Sequence, residues 1–146
     1  MQTIVQKYGG TSVGSAERIK EIAKRVLQAR ETNQRIVVVV SAMGKTTNNL
    51  ISLSKEISPT PCAREYDALI STGENVSAAL LAMAIQEHGI PAISLTGYQA
   101  GIITENKYSK AKIIDVNTER LEKELNEAKV VVITGFQGIN NAQDVT

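Results

Sequence analysis

The residues best suited to chemistry fall in a few short clusters. Lys7-Tyr8-Gly9-Gly10-Thr11-Ser12 sets a cation beside paired glycines and two hydroxyls. Adjacent glycines permit a sharp turn that presents backbone N–H groups to an anion. A helix after such a turn aims its positive end at the same place. The cluster reads as a phosphate cradle, or equally as a plain strand-to-helix turn beside a surface lysine. Ser41-Ala42-Met43-Gly44-Lys45-Thr46-Thr47 ends like a Walker A loop, but that loop needs a glycine where Val39 stands. It reads better as a hydroxyl-bearing substrate loop with Ser41 and Thr47 flanking a glycine turn. Its plainer reading is a helix start capped by Thr46 or Thr47. In Ser71-Thr72-Gly73-Glu74 the first and last residues have capping-box spacing. Local sequence favours that box over a carboxylate that holds a substrate ammonium.

No cluster pairs a nucleophile with a base. His88 reads as a helix-end residue, where a cation is favoured. Cys62, between Pro61 and Ala63, has no activating neighbour. Transfer of a phosphoryl group to a carboxylate fits this inventory, because that nucleophile is already ionised at pH 7. Such a site needs positive charge, aligned amides and a metal-bound nucleotide.

The elements that must position these clusters alternate. Thr3–Tyr8 reads as a strand, and Ser15–Arg30 as a helix with Ile19, Ile22, Ala23, Val26 and Leu27 on one face. Arg35–Val40 is a β-branched run suited to a strand covered on both faces. A helix over Thr47–Ile57 stops at Ser58-Pro59-Thr60-Pro61. A short helical stretch follows Ala63, then an alanine-rich buried helix runs to about Glu87, closed by Gly89. Ile90–Leu95 and Lys129–Thr134 read as strands, and Ala100–Thr104 and Lys112–Asp115 as short edge strands. Thr118–Glu127 reads as a surface helix whose Glu119, Arg120, Glu122, Lys123 and Glu124 face solvent. Strand, glycine turn, helix, strand implies parallel βαβ units in an α/β fold, a three-layer α/β/α sandwich with a mainly parallel sheet. Ligands of such sheets bind beyond the carboxyl ends of the strands. The clusters lie at those ends or at the turn into the alanine-rich helix, so several loops build one site.

Composition agrees. The 146 residues suit one domain, with 42% hydrophobic and 21% charged residues. Sixteen Lys plus Arg against 15 Asp plus Glu leave a net charge of +1, which argues against a nucleic-acid coat. A single cysteine excludes an internal disulfide and points to a reducing compartment. The apolar runs Ile36–Val40 and Ala78–Ile85 are too short for a bilayer, no signal peptide begins the chain, and no Cys/His metal spacing occurs. The expectation is a cytoplasmic protein.

Taken together, the clusters resemble the aspartokinases of the amino acid kinase family. The matching pieces are Val5 to Val13, Ser41-Ala42-Met43-Gly44, Ser71-Thr72-Gly73-Glu74, Leu95 to Gly101 and Gly135-Phe136-Gln137-Gly138. They run in order over nearly the whole chain; Tyr8, where the family has Phe, is a mild departure. The resemblance implies phosphorylation of the L-aspartate side chain by ATP with Mg2+, giving 4-phospho-L-aspartate on the route to lysine, threonine and methionine. It implies that Lys7 neutralises the transferred phosphoryl group and that Gly9 and Gly10, with Thr11 and Ser12 nearby, hold the phosphates. Ser41 and Thr47 would contact aspartate, Glu74 would bind its ammonium and Phe136 would line its pocket. The glycine-rich Arg- and Asp-bearing segment that follows this motif in the family is absent. Residues 1–146 are therefore expected to be the aspartate-binding part of a truncated catalytic domain, without most of the nucleotide pocket and without regulatory ACT domains. The complete enzyme would be a homo-oligomer, and the part alone would be inactive. The alternatives are a kinase of glutamate, carbamate or a nucleoside monophosphate, or a non-catalytic ligand-binding module.

Overall fold

The computed structural model describes residues 2–32 and 35–146. Strand β1 (Thr3–Tyr8) leads through the glycine loop to helix α1 (Ala16–Arg30), and β2 (Arg35–Val40) follows. Helices α2 (Thr46–Ile57), α3 (Ala63–Ile70) and α4 (Thr72–Gln86) come next. Strands β3 (Ala92–Leu95), β4 (Ile102–Thr104) and β5 (Ile113–Val116), helix α5 (Glu119–Asn126) and strand β6 (Val130–Thr134) complete the order. The main sheet has the order β1-β2-β6-β3, and every pairing in it is parallel. All four carboxyl ends therefore open on one edge, as the alternating pattern requires.

Alternation along the strands divides the core. Ile36, Val38, Val40, Val130 and Val132 pack on one face against Ile19, Ile22 and Val26 of α1 and Ala78, Leu81 and Ile85 of α4. Val37, Val131 and Ile133 pack on the other against Leu125 of α5, with Leu95 and Ala100. The layers are α/β/α as expected. Cover on the α5 face is thinner, and Val5 at the β1 edge is 65% exposed. The β-branched runs form strands because both faces of the central pair are buried.

Several local expectations yield to tertiary context. β4 and β5 are not edge strands of the main sheet; they pair antiparallel with each other as a separate hairpin. The α5 charges are not uniformly solvated, because Glu124 is buried and accepts hydrogen bonds from Arg120 at 2.6 Å and from Lys129 at 2.5 Å. Neither expected helix cap forms. Lys45 holds the start of α2 without a side-chain bond, since Thr46 is already helical. Ser71 is helical too, at φ −65° and ψ −19°, because α3 runs straight into α4. Its amide donates to the Asp67 carbonyl and its hydroxyl to the Ala68 carbonyl, so no box with Glu74 exists. The joined stretch Ala63–Gln86 is apolar and long enough by composition to match a bilayer. Here Ala78, Leu81, Ala82 and Ile85 of that stretch pack into the sheet core instead.

Gly101 shows how one residue controls the hairpin. Its φ is +78°, and a β-carbon there would overlap the Asn117 carbonyl. Gly101→Ala is expected to cost about 2 kcal/mol of stability. Denaturant unfolding of the variant checks this, and a midpoint equal to that of the parent would contradict it.

Candidate active site

The loop after β1 turns at Gly9 and Gly10. Ser12 and Val13 both donate to the Gly9 carbonyl, while among the described residues the amides of Gly9, Gly10 and Thr11 find no backbone acceptor. Those amides remain available to an acceptor outside the chain. A β-carbon on Gly10 would stand 3.1 Å from the Ala42 carbonyl, so the residue must be small. The Gly44 amide donates to the Gly10 carbonyl at 2.9 Å and locks the first loop to the second. This lock, with φ +48° at Gly44, ties the Gly44-Lys45-Thr46 turn to the first loop. Arg18 braces the first loop from α1 by donating to the Thr11 carbonyl at 3.2 Å. The helix start beyond is capped by Ser15.

Lys7 is exposed and pairs in register with Val39, so its side chain shares the sheet face of Val5 and Val39. The Ser41 amide donates to the Tyr8 carbonyl, and its own carbonyl accepts the Ser77 hydroxyl at 2.7 Å. Glu74 is 4% exposed at the first turn of α4. Burial pushes its carboxyl up from the usual range, offset in part by its own amide and that of Ala42. Gly73 fits against Ala42 and Thr46, which brings the start of α4 onto the second loop.

A cavity of about 640 Å³ opens beside this junction. Thr47 and Phe136 line it, with Val39, Ser71, Thr134 and Gly135. Its size suits a small ligand. Phe136 is 82% exposed and holds φ +60°, an uncommon backbone state for an aromatic residue. Gly9, Gly10, Ser12, Ser41 and Glu74 do not line this cavity; they cluster next to it around the Gly10–Gly44 lock. The site is thus two adjoining compartments, one of amides and one walled by apolar and hydroxyl groups.

Local sequence missed the side chains that tie the compartments together. Gln137 accepts from the Gly97 amide at 3.3 Å and donates to the Ser71 carbonyl at 3.0 Å. Ser77 and Arg18 hold two loops from helices, and Asp67 lies buried in the cavity wall. Only the glycine-flanked position of Gln137 signalled anything. Among the described residues no three His, Cys, Asp or Glu side chains converge.

Comparison with known proteins agrees with the α/β fold. Residues 2–145 match the profile of the amino acid kinase family. An aspartokinase of Bacillus sp. (strain MGA3) is 53% identical over 146 residues, which are 100% of this chain and 36% of that relative. The crystal structure of aspartate kinase from Synechocystis is 51% identical with a TM-score of 0.80, over 95% of this chain and 22% of that one. E. coli aspartokinase III, solved with aspartate and ADP, has a TM-score of 0.84 at 22% identity, over 100% and 43%, a likeness of fold alone. The chain spans about 36% of the length of the curated relatives it matches.

Proposed function

We propose, from the premise that this chain belongs to the amino acid kinase family, that it forms the aspartate-side part of an ATP-dependent aspartate kinase. The observation that carries the reading is the junction of two compartments. Free amides at Gly9, Gly10 and Thr11 adjoin a buried carboxylate, Glu74, and a small cavity that Thr47 and Phe136 line.

The chemistry follows from those groups. The side-chain carboxylate of L-aspartate attacks the γ-phosphorus of ATP, forming a P–O bond as the bond to the β–γ bridging oxygen breaks. The products are 4-phospho-L-aspartate and ADP. No proton is abstracted, so the reaction needs no general base. Lys7 offsets charge on the moving phosphoryl group, and the glycine amides hold phosphate oxygens, with Thr11 and Ser12 nearby. Glu74 binds the substrate ammonium, which relieves the cost of burying its charge. Ser41 and Thr47 donate hydroxyl hydrogen bonds to the substrate, and Phe136 lines its pocket. In the whole enzyme the remaining partners are Mg2+ carried on the nucleotide phosphates, a second copy of the chain in a homo-oligomer, and a cytoplasmic setting. Residues 1–146 are the aspartate-binding part of its catalytic domain, and the rest of the nucleotide pocket and the regulatory domains belong to further sequence.

A hydroxamate assay of the full-length enzyme tests the reading. Turnover with L-aspartate should exceed that with L-glutamate by about tenfold or more, the discrimination one methylene can supply. The 146-residue chain alone should give no hydroxamate. Preference for glutamate would move the enzyme to another branch of the family. Aspartate binding by calorimetry without any turnover in the full-length protein would make it a sensor.

A further inference from the structure

Asp67 has no part in the chemistry above, yet it is 4% exposed in the cavity wall. A carboxylate is rarely buried unless it is paired. Among the described residues no cation forms a salt bridge with it. Its two oxygens instead accept from one residue: the Ser109 amide at 2.6 Å and the Ser109 hydroxyl at 3.0 Å. Ser109 sits in the β4–β5 loop at φ +62°, a left-handed conformation that a serine adopts at some cost.

A second tie lies beside the first. Tyr108 donates to Asp144 at 2.8 Å, and Arg64 donates to the same carboxylate at 2.9 Å. Arg64 precedes Asp67 by three positions on α3, so both project from one helix face. Helix α3 thereby holds Ser109 directly and Tyr108 through Asp144. The next residues, Lys110 and Ala111, line the cavity with Ser109.

We infer that Asp67 is a positioning residue which, through Ser109, holds the β4–β5 loop as a wall of the amino-acid cavity. The inference rests on the kinase reading for its kinetic consequence but not for the clamp. Without the clamp, Ser109 relaxes to an unstrained backbone and the wall withdraws. A small ligand then loses enclosure. The phosphate loop, Gly9 to Ser12, lies outside that wall and is unaffected.

The test uses the full-length enzyme with Asp67→Ala, which removes both acceptors of the clamp. KM for L-aspartate should rise about tenfold, with kcat and KM for ATP within about twofold. Ser109→Ala removes only the hydroxyl contact and should raise the same KM about threefold; it carries the test if Asp67→Ala does not fold. Amide exchange over residues 105–112 should quicken selectively in either variant. An unchanged KM for aspartate in both variants, or an equal rise in both Michaelis constants, overturns the positioning role. Unchanged exchange over 105–112 overturns the clamp whether or not the enzyme uses aspartate. A wild-type enzyme that ignores aspartate sinks the functional reading, and the exchange experiment still decides the clamp.

Discussion

Lys7→Ala in the full-length enzyme is expected to lower kcat by about 10²–10³-fold, with KM for aspartate nearly unchanged. The reason is where the charge acts. A phosphoryl group in flight spreads negative charge over its outer oxygens, and a fixed ammonium counts most there. The substrate carboxylate in the ground state gains less from it. Lys7 is also cleanly separable from stability, because it is exposed at the end of the edge strand β1. Its aliphatic stem contributes nothing to the core on either sheet face. The thermal midpoint of the variant should therefore match that of the parent. Single-turnover measurement at saturating ATP isolates the chemical step. An unchanged rate there would remove Lys7 from the transition state. Lys7→Arg should recover only part of the loss, since a planar fork does not reproduce a point charge.

Glu74→Gln is expected to raise KM for aspartate by about 10²-fold while kcat changes little, since it removes one partner of a buried charge pair. Stability should move the other way. In the unliganded chain, burial raises the Glu74 carboxyl above its ordinary range. A raised folded pKa means that the folded state holds the proton more tightly than the unfolded state. Its contribution to stability is fully present below the unfolded pKa and is lost as pH rises through the folded pKa. Above its raised folded pKa the wild type carries a buried ionised carboxylate that the amide variant lacks. The variant should then melt higher than the wild type at pH 7, and the gap should shrink toward pH 4. Thermal unfolding without substrate at both pH values checks the sign. A variant less stable than its parent at pH 7 would mean that Glu74 is held by contacts that favour its charge, and that it serves the fold before the substrate.

The two predictions oppose each other in an informative way. A side chain that weakens the empty fold and strengthens the complex is one selected for its ligand. The same logic separates Glu74 from Glu124. Glu124 is equally buried, but hydrogen bonds from Lys129, and next from Arg120, hold its carboxyl below the usual range. It is satisfied by the chain and offers nothing to a substrate.

Much of this was legible in the linear chain. Parallel strands announce themselves as β-branched runs such as Arg35–Val40, because both faces are buried and every side chain must be apolar. The α1 stripe from Ile19 to Val26 follows from helical pitch alone. Glycines at Gly10 and Gly44 marked the loops because backbones must meet there. These signals act over a few residues, where periodicity and turn chemistry operate. What remained hidden depends on neighbours far along the chain. The Ser71–Glu74 box looked sound until α3 ran on into α4 and made Ser71 helical. Glu124 looked solvated until Lys129 folded back onto it. β4 and β5 looked like edges of the main sheet until they chose each other. The Asp67–Ser109 clamp joins residues 42 positions apart, and Gln137 reaches 66 positions to Ser71. Such bonds carry no local pattern, because loop closure decides them and not pitch or propensity. The kinds of residue at this site are thus written along the chain, and their arrangement into two compartments arises when the parallel sheet brings four strand ends to one edge.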